Sequence, residues 1–284
     1  MSPGALRRAS LALALLAFGC SNADPSSNGT GITFAPGARY VALGSSFAAG
    51  TGIPATSGGL CLRSDHSYPN LVAAALGLTL ADVTCSGATT ANVRDTAQNG
   101  AAPQLDAVTA DTALVSLTVG GNDLGYSTLA GECATPSAPP CSLDATALDA
   151  KAERLRADLT ALIADVRERA PSAVIVLVTY AKVANPPECA ALGFDADEAI
   201  LVESMGEALQ SVSLDVAAET GVLLADPYAV SDGHGPCASD GARWIEGLVA
   251  KGSVPFHPNA LGHEAMAQLV LDALASAPSE GAEP

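Results

Sequence analysis

The chain has 284 residues, with 13 basic and 30 acidic side chains, a formal net charge of −17, 49% hydrophobic and 15% charged residues, and seven cysteines. That length gives one large domain or two small ones with ample core volume, and the apolar fraction excludes a disordered chain. The acidic balance excludes nucleic-acid binding through phosphates, which needs clustered Lys and Arg, and the odd cysteine count leaves one thiol with a separate purpose.

Residues 1–19 read as an export signal. Arg7 and Arg8 supply the positive end, and Ala9 to Phe18 is an apolar run broken only by Ser10, too short for a permanent bilayer span. The run ends in Leu16-Ala17-Phe18-Gly19-Cys20, which resembles a bacterial lipobox, where a small residue precedes a cysteine that becomes lipidated and N-terminal. Each acyl methylene buried in a membrane contributes ~0.8 kcal/mol, so two or more chains on Cys20 would anchor the protein stably. The plainer alternative is an ordinary signal peptide cleaved nearby, with Cys20 removed. Either way the protein is expected to be exported, as an extracellular protein or as a periplasmic or outer-surface lipoprotein. Residues 20–37, rich in Ser, Asn, Gly and Pro, are expected to be a flexible linker. No later segment is apolar for long enough to form an internal transmembrane helix.

The body alternates short apolar runs with helical patterns. Strands are expected at Tyr40–Gly44, Leu78–Cys85, Ala113–Val119, Ala173–Thr179 and Val222–Ala225. The last three are β-branched and apolar on both faces, as a parallel sheet covered on both sides requires. Leu148, Leu155, Leu159, Leu162 and Val166 recur at helical spacing before Pro171. Ala199 through Val216 gives a second amphipathic helix, and Met266, Leu269, Val270 and Leu274 give a C-terminal one that Asn259 can cap. This alternation predicts an α/β fold with crossover helices. Residues 38–277 are expected to form one domain, with a disordered tail at 278–284.

Six cysteines follow the signal: Cys61, Cys85, Cys133, Cys141, Cys189 and Cys237. They form no Cys/His cluster of zinc type, and in an exported protein an even set reads as disulfides. Spacing alone leaves many connectivities open. Sequential pairing, 61–85, 133–141 and 189–237, is the simplest, and closing the first loop contributes roughly 3 kcal/mol in the chain-entropy model.

In an open parallel sheet, ligands bind beyond the carboxyl ends of the strands. Gly44-Ser45-Ser46-Phe47, Ser86-Gly87-Ala88 and Gly120-Gly121-Asn122-Asp123 each follow a predicted strand, and Pro255-Phe256-His257-Pro258-Asn259 precedes the last helix. A serine, a backbone donor, an amide and a histidine are the parts of an acyl-transfer site. These segments resemble the sequence blocks of the GDSL, or SGNH, hydrolases. Tyr40 to Phe47 is similar to the nucleophile block, with Ser46 as the serine. Gly87 falls at the second-block glycine, Asn122 at the block-three amide, and His257 at the last-block histidine. The resemblance covers nearly the whole domain. AAGTG after the serine, GHGPC near residue 235 and FHPNALGH look closest to the secreted actinobacterial lipase and esterase branch.

The resemblance implies a flavodoxin-like three-layer α/β/α sandwich with a five-stranded parallel sheet. It also implies three sequential disulfides, in agreement with the simplest pairing. The implied oxyanion hole is the N–H groups of Ser46 and Gly87 with the Asn122 amide. Two departures stand out. Ser45 replaces the usual Asp before the nucleophile, and Val254 stands where many members carry an acid, three residues before the histidine. The resemblance then implies a Ser46–His257 dyad, with the main-chain carbonyl of Val254 orienting the imidazole. Asp226, after a strand, is the alternative acid.

His66, His234 and His263 read as structural, and Asp123 reads as a brace for its loop. The expected activity is an esterase or lipase acting on a small-molecule or lipid ester as a monomer, with no metal or organic cofactor. A phospholipase or polysaccharide O-deacetylase is the alternative activity. A catalytically silent surface lipoprotein that binds acylated ligands is the alternative from another class.

Overall fold

The structure, a computed structural model, describes residues 1, 31–54, 56–135, 141–184 and 189–277. The expected signal beyond its first residue, Cys20, the linker through residue 30 and the tail at 278–284 lie outside the described residues. In chain order the elements are β1 (Arg39–Gly44), α1 (Ser46–Ala49), β2 (Thr56–Gly58), β3 (Arg63–Ser64), α2 (Tyr68–Leu76), β4 (Thr79–Asp82), α3 (Thr90–Arg94), β5 (Thr112–Thr118), α4 (Gly121–Leu124), α5 (Tyr126–Cys133), α6 (Ala145–Arg169), β6 (Val174–Val178), α7 (Ala196–Thr220), β7 (Leu223–Ala225), α8 (Pro227–Val230) and α9 (Ala260–Ser276). One helical turn, Gln104–Ala107, precedes β5.

Five strands pair in the order β4-β1-β5-β6-β7, every pairing parallel. The chain runs outward from β1 to β4, then crosses back to β5 on the other side of β1. The strand order therefore reverses beside β1, which opens a crevice between the ends of β1 and β5. Period-two alternation divides each strand between two cores. Val41, Leu43, Val115 and Leu117 face α6 and α7, while Tyr40, Ala42 and Leu114 face α2 and α9. Leu155, Leu159 and Leu162 of α6 are fully buried, each worth about 1.5–3 kcal/mol of transfer free energy. Asp144 caps α6, and Asp195 with Glu198 forms a capping box on α7.

All five strands and the three long helices stand where the sequence places them. The β2–β3 hairpin and α2 were not expected, because they are short and lack a sustained period. Within α2, Pro69 sits in the first turn, where its missing N–H costs nothing, and Tyr68 and Val72 supply the buried face. The expected flexible linker ends earlier than residue 37. Ile32 donates its N–H to the Leu274 carbonyl at 3.0 Å, and Ile32 and Phe34 pack on the core beside α9. Disulfides join Cys61 to Cys85, Cys133 to Cys141 and Cys189 to Cys237, the sequential pairing. Among the described residues, no helix is long and apolar enough to cross a membrane.

The core beside α2 contains polar groups that bond one another. Tyr40 Oη lies 2.6 Å from Ser116 Oγ, and Tyr68 Oη lies 2.8 Å from Thr118 Oγ1. His263 of α9 is fully buried there. Its Nδ1 accepts the Tyr68 N–H at 3.1 Å, so the ring proton sits on Nε2. Burial, with a smaller contribution from His257, lowers the His263 pKa from 6.5 to about 3. The unfolded chain takes up this proton near pH 6.5 and the folded chain only near pH 3, so the stabilisation is complete above the first value. It falls by ~1.4 kcal/mol per pH unit below it. Guanidinium unfolding of the parent and of His263→Gln at pH 6.5 and pH 5 checks this. The variant should lack about 2 kcal/mol of the parent's stability loss over that interval, and equal losses in both proteins would refute it.

Candidate active site

Ser46 is the first residue of α1, directly after β1. Its backbone N–H therefore has no partner within the helix. β4 pairs with β1 only as far as Ala42, so the end of β1 needs other partners. Gln104 meets part of this need. Its Oε1 accepts the Gly44 N–H at 2.7 Å, and its Nε2 donates to the Gly44 carbonyl at 2.9 Å. The turn that presents Ser46 is thus fixed on this side by the Gln104 amide together with the Cys85 N–H, which donates to the Gly44 carbonyl at 2.9 Å.

His257 sits on a loop tied to residues 244–246. Phe256 N–H donates to the Glu246 carbonyl, Glu246 N–H to the His257 carbonyl, and Asn259 N–H to the Trp244 carbonyl, at 3.1, 3.0 and 2.8 Å. The Glu246 side chain is buried and accepts from Lys251 N–H and Asn259 Nδ2, each at 3.0 Å, with Arg243 Nη2 at 3.5 Å. Phe256 is held at φ +58°, a region rarely used by a bulky residue. Its ring is buried 6.1 Å from that of Phe194, which offsets the strain.

The two loops meet at Ser46 Oγ and His257 Nε2, 2.8 Å apart. The other ring nitrogen, Nδ1, lies 2.8 Å from the Pro255 carbonyl. A carbonyl can only accept, so the proton is on Nδ1 and Nε2 is left to accept from Ser46, the tautomer a general base requires. The orienting carbonyl is therefore that of Pro255, not of Val254. The Val254 carbonyl instead accepts the His257 backbone N–H, at 3.3 Å. Burial of the largely covered ring lowers the His257 pKa, and the bond to Pro255 opposes this. Phe47 packs 5.1 Å from the imidazole.

Gly87 and Asn122 lie on the neighbouring turns. Gly87 has φ +81°, where a side chain is strained, and its N–H donates to no described residue. Asn122 donates from Nδ2 to the Ala88 carbonyl at 2.9 Å. That bond orients the amide and leaves its second N–H for a ligand. Asp123 accepts from Thr90 N–H and from Thr90 Oγ1, the latter at 2.6 Å, and so braces the turn. Asp226 is not beside the imidazole. It caps α8 and accepts from Thr179 Oγ1 and Gln210 Nε2 at 2.5 and 2.8 Å. His66 pairs with Asp65 at the surface, and His234 stacks on Trp244.

Sequence reasoning missed Gln104, Pro255 and Tyr180. Tyr180 had one available signal, its place two residues beyond β6, at the same sheet edge as the other strand-end candidates. It also missed the latch between the two loops. Ser253 Oγ donates to the Thr51 carbonyl at 2.8 Å, and Gly52, at φ +87°, lies against Val254.

A sequence model of the GDSL-like lipase/acylhydrolase family matches residues 42–265. Lipase 2 of Streptomyces coelicolor is 37% identical over 257 residues, covering 84% of this chain and 86% of that protein. The crystal structure of phospholipase A1 from Streptomyces albidoflavus superposes with a TM-score of 0.70 at 31% identity, covering 85% of this chain and 99% of that one. The extracellular lipase of Streptomyces rimosus superposes with a TM-score of 0.66 at 28% identity, covering 84% and 99%.

A Cβ on Gly52 would fall 2.8 Å from both the Val254 backbone nitrogen and its Cγ1. Gly52→Ala must therefore displace the histidine loop relative to the segment that follows Ser46. A displacement near 1 Å can cost about a hundredfold in rate. Steady-state kinetics should show kcat falling at least tenfold, with KM little changed, and an unaltered kcat would show that the latch does not position His257.

Proposed function

The chain belongs to the GDSL-like lipase/acylhydrolase family and is a carboxylic ester hydrolase, and on that premise we propose that it is an exported serine esterase or lipase working through a Ser46–His257 dyad. The observation that carries the dyad is the 2.8 Å contact between Ser46 Oγ and His257 Nε2, with Nδ1 held by a carbonyl. His257 removes the Ser46 proton as Oγ attacks the ester carbonyl carbon. The developing oxyanion meets the N–H groups of Ser46 and Gly87 and the free N–H of Asn122. His257 then gives its proton to the departing alcohol, leaving an acyl-serine. Water attacks that acyl group, again losing a proton to His257, and the acid is released with Ser46 restored.

The Pro255 carbonyl fixes the tautomer but brings no full charge to the imidazolium that forms during attack. The oxyanion donors therefore carry more of the stabilisation. The ester chemistry extends to phospholipids as a second reading, supported by the 31% identity to a phospholipase A1. Export is supported by the apolar signal at 1–19 and by the likeness to an extracellular lipase. Lipidation of Cys20 and a monomeric state complete the proposal.

Ser46→Ala, Asn122→Ala and His257→Ala, assayed on a chromogenic short-chain ester, test the dyad. Ser46→Ala should lose turnover and labelling by a fluorophosphonate probe, and Asn122→Ala should lose about 10²–10³ in kcat. Persistent turnover by Ser46→Ala would remove the serine from the mechanism. Because the neutral imidazole is the base and burial lowers its pKa, the acid limb of kcat/KM should have its midpoint below that of an ordinary histidine, ~6.5. A midpoint at or above that value would contradict the assigned base. Intact mass of the mature chain tests the anchor: a diacylated N-terminal Cys20 is expected, and an unmodified chain starting beyond residue 20 would mean free secretion.

A further inference from the structure

Ser45 stands at the N-cap of α1, where a serine hydroxyl ordinarily accepts a backbone N–H from the first helical turn. It makes no such bond. Its Oγ lies 2.9 Å from the hydroxyl of Tyr180, a residue 135 positions away. The same phenol oxygen accepts the Gly121 N–H at 3.2 Å. Tyr180 follows β6 and is buried, with its ring 4.5 Å from Phe47 and edge-on to Tyr126 at 6.3 Å. A Cβ on Gly121 would fall 2.7 Å from the Tyr180 ring, so the turn approaches the phenol as closely as a glycine permits. One hydroxyl thus touches the residue before Ser46 and the residue before Asn122.

We propose that Tyr180 is a positioning residue, whose hydroxyl, held between the Ser45 hydroxyl and the Gly121 N–H, sets the separation of the Ser46 nucleophile from the Asn122 amide. The inference rests on the dyad and oxyanion reading above. The need for such a brace follows from the sheet. The registered pairing of β1 with β5 ends at Gly44 and Thr118. Beyond it, Ser45 N–H still reaches the Thr118 carbonyl at 2.9 Å, but Ser46 and Asn122 lie further along diverging turns. Tyr180 closes that gap from the end of β6, the neighbour of β5. Burial raises its pKa, so the phenol stays neutral throughout the working range and the brace does not titrate. Ser45, which departs from the aspartate usual in this family, offers the phenol a neutral hydroxyl.

The test compares Tyr180→Phe, Ser45→Ala and the double variant, with rates expressed per serine labelled by a fluorophosphonate so that loss of folded protein does not count. Each single variant should lower kcat about tenfold or more, within the range that misplacement of reacting groups produces, while KM stays within about twofold. The affinity of a boronic acid, which forms a tetrahedral adduct on the serine, should fall by a similar factor. The acid limb of the pH profile should not move. The double variant should be no worse than the poorer single one, because both remove the same contact. Parental kcat per labelled serine in either single variant, or losses that multiply in the double variant, would overturn the proposal. If Tyr180→Phe does not fold, Ser45→Ala carries the test by the same criteria. Ser46→Ala is assayed in parallel: its turnover would remove the dyad reading itself, whereas a silent Ser46→Ala beside an undiminished Tyr180→Phe removes only the brace.

Discussion

The contact between Ser46 Oγ and His257 Nε2 is 2.8 Å long and joins residues 211 apart in the chain. Among the described residues, no carboxylate stands behind it. In a triad, a buried acid both orients the imidazole and stabilises its charged form. Here a Pro255 carbonyl supplies the orientation, so the ring can be no better placed than the backbone that carries it. That one constraint explains why the histidine loop is pinned so heavily. Three backbone bonds to residues 244–246, the buried Glu246 carboxylate, the Ser253–Thr51 bond and the Gly52–Val254 approach all act on a few residues around His257.

Phe256 shows the cost of that arrangement. A positive φ at a bulky residue is unfavourable by ~1–3 kcal/mol and persists only where its surroundings over-determine it. The buried ring against Phe194 and the Phe256 N–H bond to Glu246 supply that determination. The reversal of the chain at Phe256 is also what carries the Pro255 carbonyl round to Nδ1, one residue from the position expected. Sequence register locates where an acid would stand, but it does not reveal a left-handed torsion at a phenylalanine.

The same distinction separates what was legible from what was not. The five strands and three long helices were legible because their apolar runs and periods are local and repeated. Ser46, Gly87 and Asn122 could be picked out as candidates because they lie in short motifs after strands, and His257 because it lies in one just before the last helix. α2 was not, since a nine-residue helix with a proline in its first turn is built by contacts with the sheet and α9 rather than by its own period. Ile32 and Phe34 were hidden for the same reason: they look like linker until α9 is there to receive them. Gln104 and Tyr180 are single residues whose partners lie 60 and 135 positions away, and no local pattern marks such pairs.

Two carboxylates common in the family are absent, one beside the nucleophile and one beside the histidine, and their replacements are Ser45 and Val254. On the proposed mechanism the consequences are linked. An imidazolium without a counter-charge is harder to form in a partly buried site, which is the direction in which burial moves His257. The same absence leaves no adjacent anion at these positions to repel the oxyanion. Attack on a neutral ester separates charge between His257 and the carbonyl oxygen, so what is lost on the imidazolium side must be met on the oxyanion side. Ser46, Gly87 and Asn122 meet it only if the ends of β1, β4 and β5 hold a fixed separation. Beside the bonds of Asp123 to Thr90, neutral contacts hold that separation in this chain: Gln104 on Gly44, Asn122 on Ala88, and Tyr180 between Ser45 and Gly121.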